Sequence, residues 1–127
     1  MGFWLFIFIS DLPIPLLMMG FGRYFLKSAP GSINSVFGYR TSMSMKNKDT
    51  WMFAHSYCGR VWFQYGLILS VLTIVGMICV IHKNEDVVSL TGGIICAMQL
   101  LFLVGSIVPT ERALRRTFDK DGNRKLR

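Results

Sequence analysis

The sequence predicts an all-α membrane protein: three transmembrane helices, an interfacial amphipathic helix and a short C-terminal helix. Three observations predict it. Residues 61–81 form a run of 21 without a charge and residues 87–108 a second run of 22, and about 20 apolar residues in a helix cross a ~30 Å hydrocarbon core. Of the 14 basic residues, all but Lys83 gather in two segments. After Asn47, apolar and aromatic residues recur at helical spacing ahead of the first uncharged run. With 52% of its residues apolar and 17% charged, the chain is richer in apolar residues than a soluble domain of this size. Its 127 residues have room for a single membrane domain, 1–127.

The first span, residues 3–22, contains Asp11, Pro13 and Pro15. No Lys or Arg precedes Arg23, and no small-residue cleavage pattern follows the apolar stretch, so it reads as a retained span rather than a signal peptide. Met1-Gly2 does not make a myristoylation site, because Phe6 stands where Ser or Thr is required. The two prolines predict a kink, which neighbouring side chains can satisfy inside a membrane.

Orientation follows from charge. Arg23, Lys27, Arg40, Lys46, Lys48 and Arg60 lie in residues 23–60, and Arg112, Arg115, Arg116, Lys120, Arg124, Lys125 and Arg127 lie in residues 109–127. The turn after Ile81 carries Lys83 beside Glu85 and Asp86. Basic residues near span ends stay in the cytoplasm. Three spans therefore put the N-terminus outside and both the loop 23–60 and the tail inside. The net charge of +7 is read as this topology signal, not as a nucleic-acid surface.

In the loop, Asn47 starts a helix with Asp49 in its first turn, the end of the dipole that favours a carboxylate. Trp51, Ala54, His55, Cys58 and Trp62 share one face of it. The spacing predicts a separate interfacial helix that turns near Gly59 or Gly66 into the second span, with Trp51, Trp62 and Tyr65 as headgroup anchors. In the tail, Pro109 is expected to end the third span, Thr110 to cap a new helix with Glu111 in its first turn, and Ala113, Leu114 and Phe118 to form its apolar side. Residues 119–123 fail as a calcium loop on spacing and read as a polar turn.

The polar residues offer few chemical constellations. Cys58, Cys79 and Cys96 form no C-x-x-C pair. His55 and Cys58 make at most half a metal site, so no metal or cofactor is expected. Asp11, Asp49, His55 and Glu111 have no nucleophile–base spacing, so no catalytic residue is assigned and the chain is read as no enzyme. Asp11, Thr73 and Gln99 fall at compatible depths in the three spans and are expected to form one intramembrane polar layer. Gly93 and Ala97 give the third span a small-xxx-small face for span two or for a second copy of the chain. Arg40 and Glu111, both on the cytoplasmic side, are expected to form an ion pair closing the bundle.

One string of residues is distinctive. Ile33-Asn34, Gly38-Tyr39-Arg40-Thr41, Ser44-Met45-Lys46-Asn47, Trp51 and Phe53-Ala54, followed by Pro109-Thr110-Glu111, Leu114, Phe118-Asp119 and Gly122-Asn123-Arg124-Lys125, resemble the SdpI-type family of bacterial membrane proteins. The best-known member gives a bacterium immunity to a secreted peptide toxin, and the likeness is to its C-terminal half. The resemblance implies a non-enzymatic, multi-pass protein of the bacterial plasma membrane, in immunity or signalling. It implies a peptide toxin as partner, beside the bilayer that the spans require and a second copy that the Gly93–Ala97 face would allow; the alternative reading is a small transporter or channel-like subunit. Asn34, Gly38, Tyr39, Arg40, Thr41, Asn47, Trp51 and Glu111 are the motif residues carried over as candidates for binding or structure.

Overall fold

The computed structural model describes residues 2–27 and 39–125 of the chain. Five helices follow one another: α1 (Gly2–Asp11), α2 (Pro13–Lys27), α3 (Lys48–Cys79), α4 (Glu85–Gly105) and α5 (Ile107–Thr117). α1 with α2, α3, and α4 with α5 make three rods long and apolar enough to cross a membrane.

The rods are apolar on the outside and small or polar within. On α3, Leu67, Ile68, Val71, Leu72, Val75 and Ile78 are exposed, while Gly66, Ser70 and Thr73 are buried. On α4, Leu90, Ile94, Leu101 and Val104 are exposed, and Gly92 and Gln99 are buried. Such a pattern suits hydrocarbon as the surrounding solvent, where helix association relies on close backbone approach and interhelical hydrogen bonds.

Both breaks fall where proline forces them. α1 stops at Asp11 and α2 begins with Pro13, the first-turn position that a fixed φ and a missing N–H suit. Pro109 has no N–H for the carbonyl of Gly105 and its ring crowds that carbonyl. The helix accordingly ends at Gly105, and α5 restarts after Ser106. The expected break at Pro109 itself is thus corrected by one turn. Thr110 is not a cap: its Oγ1 donates to the Ser106 carbonyl at 3.0 Å, inside α5.

The separate interfacial helix is also corrected. α3 runs without interruption for 32 residues from Lys48, about 48 Å at ~1.5 Å per residue. This exceeds the ~30 Å core, so roughly three turns stand proud of the membrane as an extension of the span. Gly59 and Gly66 do not bend it, because both are needed as contact points for α2. A Cβ on Gly59 would lie 2.6 Å from the Gly22 carbonyl oxygen, and one on Gly66 2.7 Å from that of Pro15. Two backbones touch there. Gly93 and Ala97, by contrast, are exposed on α4, and a Cβ on Gly93 would have nothing within 4 Å. That face is turned away from span two.

At the end holding the α3–α4 turn, Met77, Val88 and Ile95 form a core with Phe3, Trp4, Ile7 and Phe8 packed against it. The Trp4 indole N–H donates to the Met77 carbonyl at 2.7 Å. Asn84 caps α4 by accepting from the Val87 N–H at 2.9 Å, with Glu85 and Asp86 in the first turn.

Candidate functional site

Two places gather polar side chains: a cap at the basic end of the bundle and a layer in its middle.

The cap is built from residues 39–47, the first turns of α3, and α5 with the tail. Asn47 is the N-cap of α3. Its Oδ1 accepts from the Thr50 N–H at 2.9 Å and its own N–H donates to Thr50 Oγ1 at 3.0 Å. This reciprocal pair satisfies two donors of the helix end. Thr50 Oγ1 donates to the Ser44 carbonyl at 3.0 Å. The Thr41 N–H donates to Ser44 Oγ at 2.9 Å, and the Ser44 N–H to Thr41 Oγ1 at 3.2 Å. Asn47 Nδ2 then donates to the Gly122 carbonyl at 2.7 Å, tying the tail to the α3 start. A Cβ on Gly122 would lie 2.7 Å from that Nδ2, and its φ of +85° is one that glycine adopts without strain.

Beneath this lies an apolar core of Tyr39, Ala54, Cys58, Leu114 and Phe118. His55 is fully buried within α3 and fastens the motif to it. The Tyr39 N–H donates to His55 Nε2 at 2.9 Å, while His55 Nδ1 is 2.8 Å from the Trp51 carbonyl. Because Nε2 accepts, the proton sits on Nδ1 and the ring is neutral. Both ring nitrogens are engaged within the chain, consistent with a structural histidine. Among the described residues there is no cluster of metal-ligating side chains.

Glu111 accepts from the Tyr39 hydroxyl at 2.7 Å. Burial, and then this hydrogen bond, hold the phenol above its ordinary value of 10.0. The expected Arg40–Glu111 ion pair is therefore corrected: Tyr39 occupies the carboxylate from within, and Arg40 is exposed. Among the described residues the ion pair of the cap is Arg124 with Asp49, at 2.9 Å through both Nε and Nη2. Both side chains are about half exposed, so the pair contributes ~0–1 kcal/mol. Trp51 is no headgroup anchor, since it is buried at 1% exposure against His55, ring centroids 4.3 Å apart. Trp62 donates to Ser106 Oγ at 2.8 Å, and Tyr65 rests on Phe102. Residues 119–123 form a turn in which Asp119 Oδ1 accepts from the Asp121 and Asn123 N–H groups. Asn34 and Gly38 lie outside the described residues.

In the middle of the bundle the structure brings Asp11, Thr73 and Gln99 together. Gln99 Nε2 donates to the Asp11 backbone carbonyl at 2.7 Å and to Thr73 Oγ1 at 3.0 Å, and Thr73 Oγ1 donates to the Leu69 carbonyl at 2.7 Å. The cause lies in the sequence. In a continuous helix the Asp11 carbonyl would accept from residue 15, but Pro15 has no N–H. Gln99 supplies the missing donor from another helix. Asp11 Oδ2 and Gln99 Oε1 are buried without a hydrogen-bond partner among the described residues.

Sequence reasoning finds the polar layer and the N-cap. It misses His55 as the clasp of the motif, Tyr39 as the partner of Glu111, and the Gly22–Gly59 contact. The seven-residue spacing of Gly59 and Gly66 is a usable signal for the last.

A bundle of three membrane-length helices, closed at its basic end by a hydrogen-bonded cap, defines a small multi-pass membrane protein. The matched segment then narrows the class: the SdpI/YfhL protein family model matches residues 32–110, and the chain belongs to that family. The match takes in the cap motif, all of α3 and α4, and the start of α5. No curated protein and no solved structure matches the chain.

Proposed function

We propose that this chain is a non-enzymatic protein of the bacterial plasma membrane that protects its cell against a membrane-active peptide toxin. The N-terminus would lie outside and the capped end in the cytoplasm. The observation that carries the reading is family membership over residues 32–110, since the family's best-known member confers immunity of this kind. The orientation rests on Arg112, Arg115 and Arg116 of α5 and Lys46 and Lys48 of the motif meeting at one end. The cap adds a second support. Among its described motif residues, Tyr39, Thr41, Asn47 and Glu111 are engaged within the chain, Arg40 stands exposed beside them, and the arrangement suits recognition more than turnover.

The test is survival. Cells of a sensitive bacterium expressing the chain, challenged with a secreted membrane-active peptide toxin of the family's type, should grow where vector-only cells lyse. Equal killing of both, with the protein present in the membrane at normal levels, would contradict the reading.

One observation favours a second reading, a small transporter or channel-like subunit. Asp11 Oδ2 and Gln99 Oε1 are two buried acceptors without donors among the described residues, and an intramembrane carboxyl commonly marks an ion or proton path. Proteoliposomes loaded with a pH-sensitive dye separate the two. Proton or cation flux that Asp11→Asn abolishes supports transport; no flux above protein-free vesicles excludes it.

A further inference from the structure

The face of α5 opposite the cap core carries a group of charges that the fold does not use. Arg112, Arg115 and Arg116 line a groove of about 580 Å³ together with Lys125, and Tyr65 and Pro109 wall it toward the membrane-spanning part of the bundle. All four cations are exposed, and none of them forms an ion pair among the described residues. Among the described residues no carboxylate lines the groove.

The fourth charge is brought there by construction. After Phe118 the tail doubles back. Phe118 and Arg124 form a two-residue antiparallel bridge, the Lys125 N–H donates to the Thr117 carbonyl at 2.9 Å, and Arg124 is held by Asp49 and over the Phe118 ring at 5.0 Å. These contacts fix Lys125 beside the last turn of α5. Four like charges so gathered repel one another. The C-terminal dipole of α5 offsets part of this at Arg115 and Arg116, but a self-contained surface would supply carboxylates. The adjoining groove does so: Glu111 and Asp119 stand there, and Arg115 and Lys125 line both grooves, so Arg112 and Arg116 are the pair that meets no carboxylate in either.

We propose that this groove is a binding site for an anionic phospholipid whose headgroup carries two phosphate groups. The guanidinium forks match phosphate oxygens in pairs. A basic pocket where a membrane helix leaves the bilayer is suited to such a headgroup. Tyr65 and the exposed Val108 give its acyl chains an apolar continuation along the bundle, which a soluble phosphate would not need. A headgroup with one phosphate would leave at least one of Arg112 and Arg116 without a phosphate of its own, and Arg115 and Lys125 with only the carboxylates of the adjoining groove.

Native mass spectrometry of the full chain in detergent tests this, titrating tetraoleoyl cardiolipin, phosphatidylglycerol and inorganic pyrophosphate. Cardiolipin should be retained roughly tenfold better than phosphatidylglycerol, and Arg112→Gln with Arg116→Gln should weaken it roughly tenfold or more. Lys125→Gln alone, outside any helix, should weaken it in the same direction. Arg23→Gln with Lys27→Gln, two exposed charges of a separate groove on α2, should leave retention within about twofold, as a site away from the contact does. Equal retention of both lipids, equal loss in the α2 control, or displacement by pyrophosphate at the concentration of the lipid would overturn the proposal.

Discussion

Gly22 and Gly59 sit where α2 and α3 touch backbone to backbone, and a single methyl added there should part the helices. A Cβ on Gly22 would lie 2.6 Å from the Phe63 nitrogen and 2.7 Å from the Gly59 oxygen. One on Gly59 would lie 2.6 Å from the Gly22 oxygen and 2.9 Å from the Leu26 nitrogen. Ordinary contact begins at 3.4 Å, and main-chain atoms cannot rotate aside as a side chain could. The helices would have to move apart by several tenths of an ångström, loosening Met18 and Phe25 in the core between them. Overpacking of this kind costs about 1–3 kcal/mol, and with two main-chain clashes the upper part of that range applies. Alanine's better helix propensity returns at most about 1 kcal/mol, leaving a net loss of about 2 kcal/mol for Gly22→Ala. Gly20, two residues away on the same helix, has nothing within 4 Å; Gly20→Ala should be neutral or gain about 0.4–1 kcal/mol. The double change Gly22→Ala with Gly59→Ala should cost less than the two single losses together, because one parting relieves both. Thermal denaturation in detergent measures all four variants. Gly22→Ala as stable as the parent, or Gly20→Ala and Gly22→Ala shifting alike, would refute the close-contact reasoning.

Three further outcomes follow from the polar groups. Gln99→Leu leaves the Asp11 carbonyl without its replacement donor, and an unsatisfied buried acceptor costs about 1–3 kcal/mol; thermal stability should fall by that order, and Gln99→Glu, which when ionised offers only acceptors, should not restore it. Tyr39 is held neutral by burial and by Glu111, so its phenol is protonated in both states below pH 10. Above that the unfolded chain ionises first, and stability should decline with rising pH by up to about 1.4 kcal/mol per unit; Tyr39→Phe should show a shallower alkaline decline in the same melts. Arg40→Glu with Glu111→Arg should recover none of the stability lost in Glu111→Arg, since Tyr39 and not Arg40 holds that carboxylate; recovery in the swapped double variant would contradict this.

What can be read from the sequence is what depends on local pattern. The uncharged runs 61–81 and 87–108, the proline kink near Asp11 and the Asn47 start of α3 each follow from composition or from a capping residue. The polar layer is legible because Asp11, Thr73 and Gln99 are conspicuous in apolar surroundings and helix rise fixes their depth. The role of Gln99 is arguable from sequence too, as Pro15 removes the donor for residue 11. The cap is less accessible. Glu111 has two candidate partners side by side in Tyr39 and Arg40, and adjacent residues differ only in which way the chain faces. That direction is set by His55 gripping the Tyr39 N–H, a contact across sixteen positions that spacing does not reveal. Trp51 and the three turns before Gly59 look interfacial because an apolar stripe beside a membrane span suggests lipid. It faces α5 and the motif instead, and so one continuous helix serves for two expected ones.

Labelling in intact cells tests the three-span arrangement most directly. With the free thiols Cys58, Cys79 and Cys96 replaced by Ser, a cysteine at Asn84, in the α3–α4 turn, and one at Lys120, in the exposed turn of the cap, should give opposite results with a membrane-impermeant thiol reagent. The first should label in intact cells, and the second only after the membrane is permeabilised. Labelling of both positions from outside, or of Lys120 alone, would contradict an arrangement in which the basic segments share the cytoplasmic face.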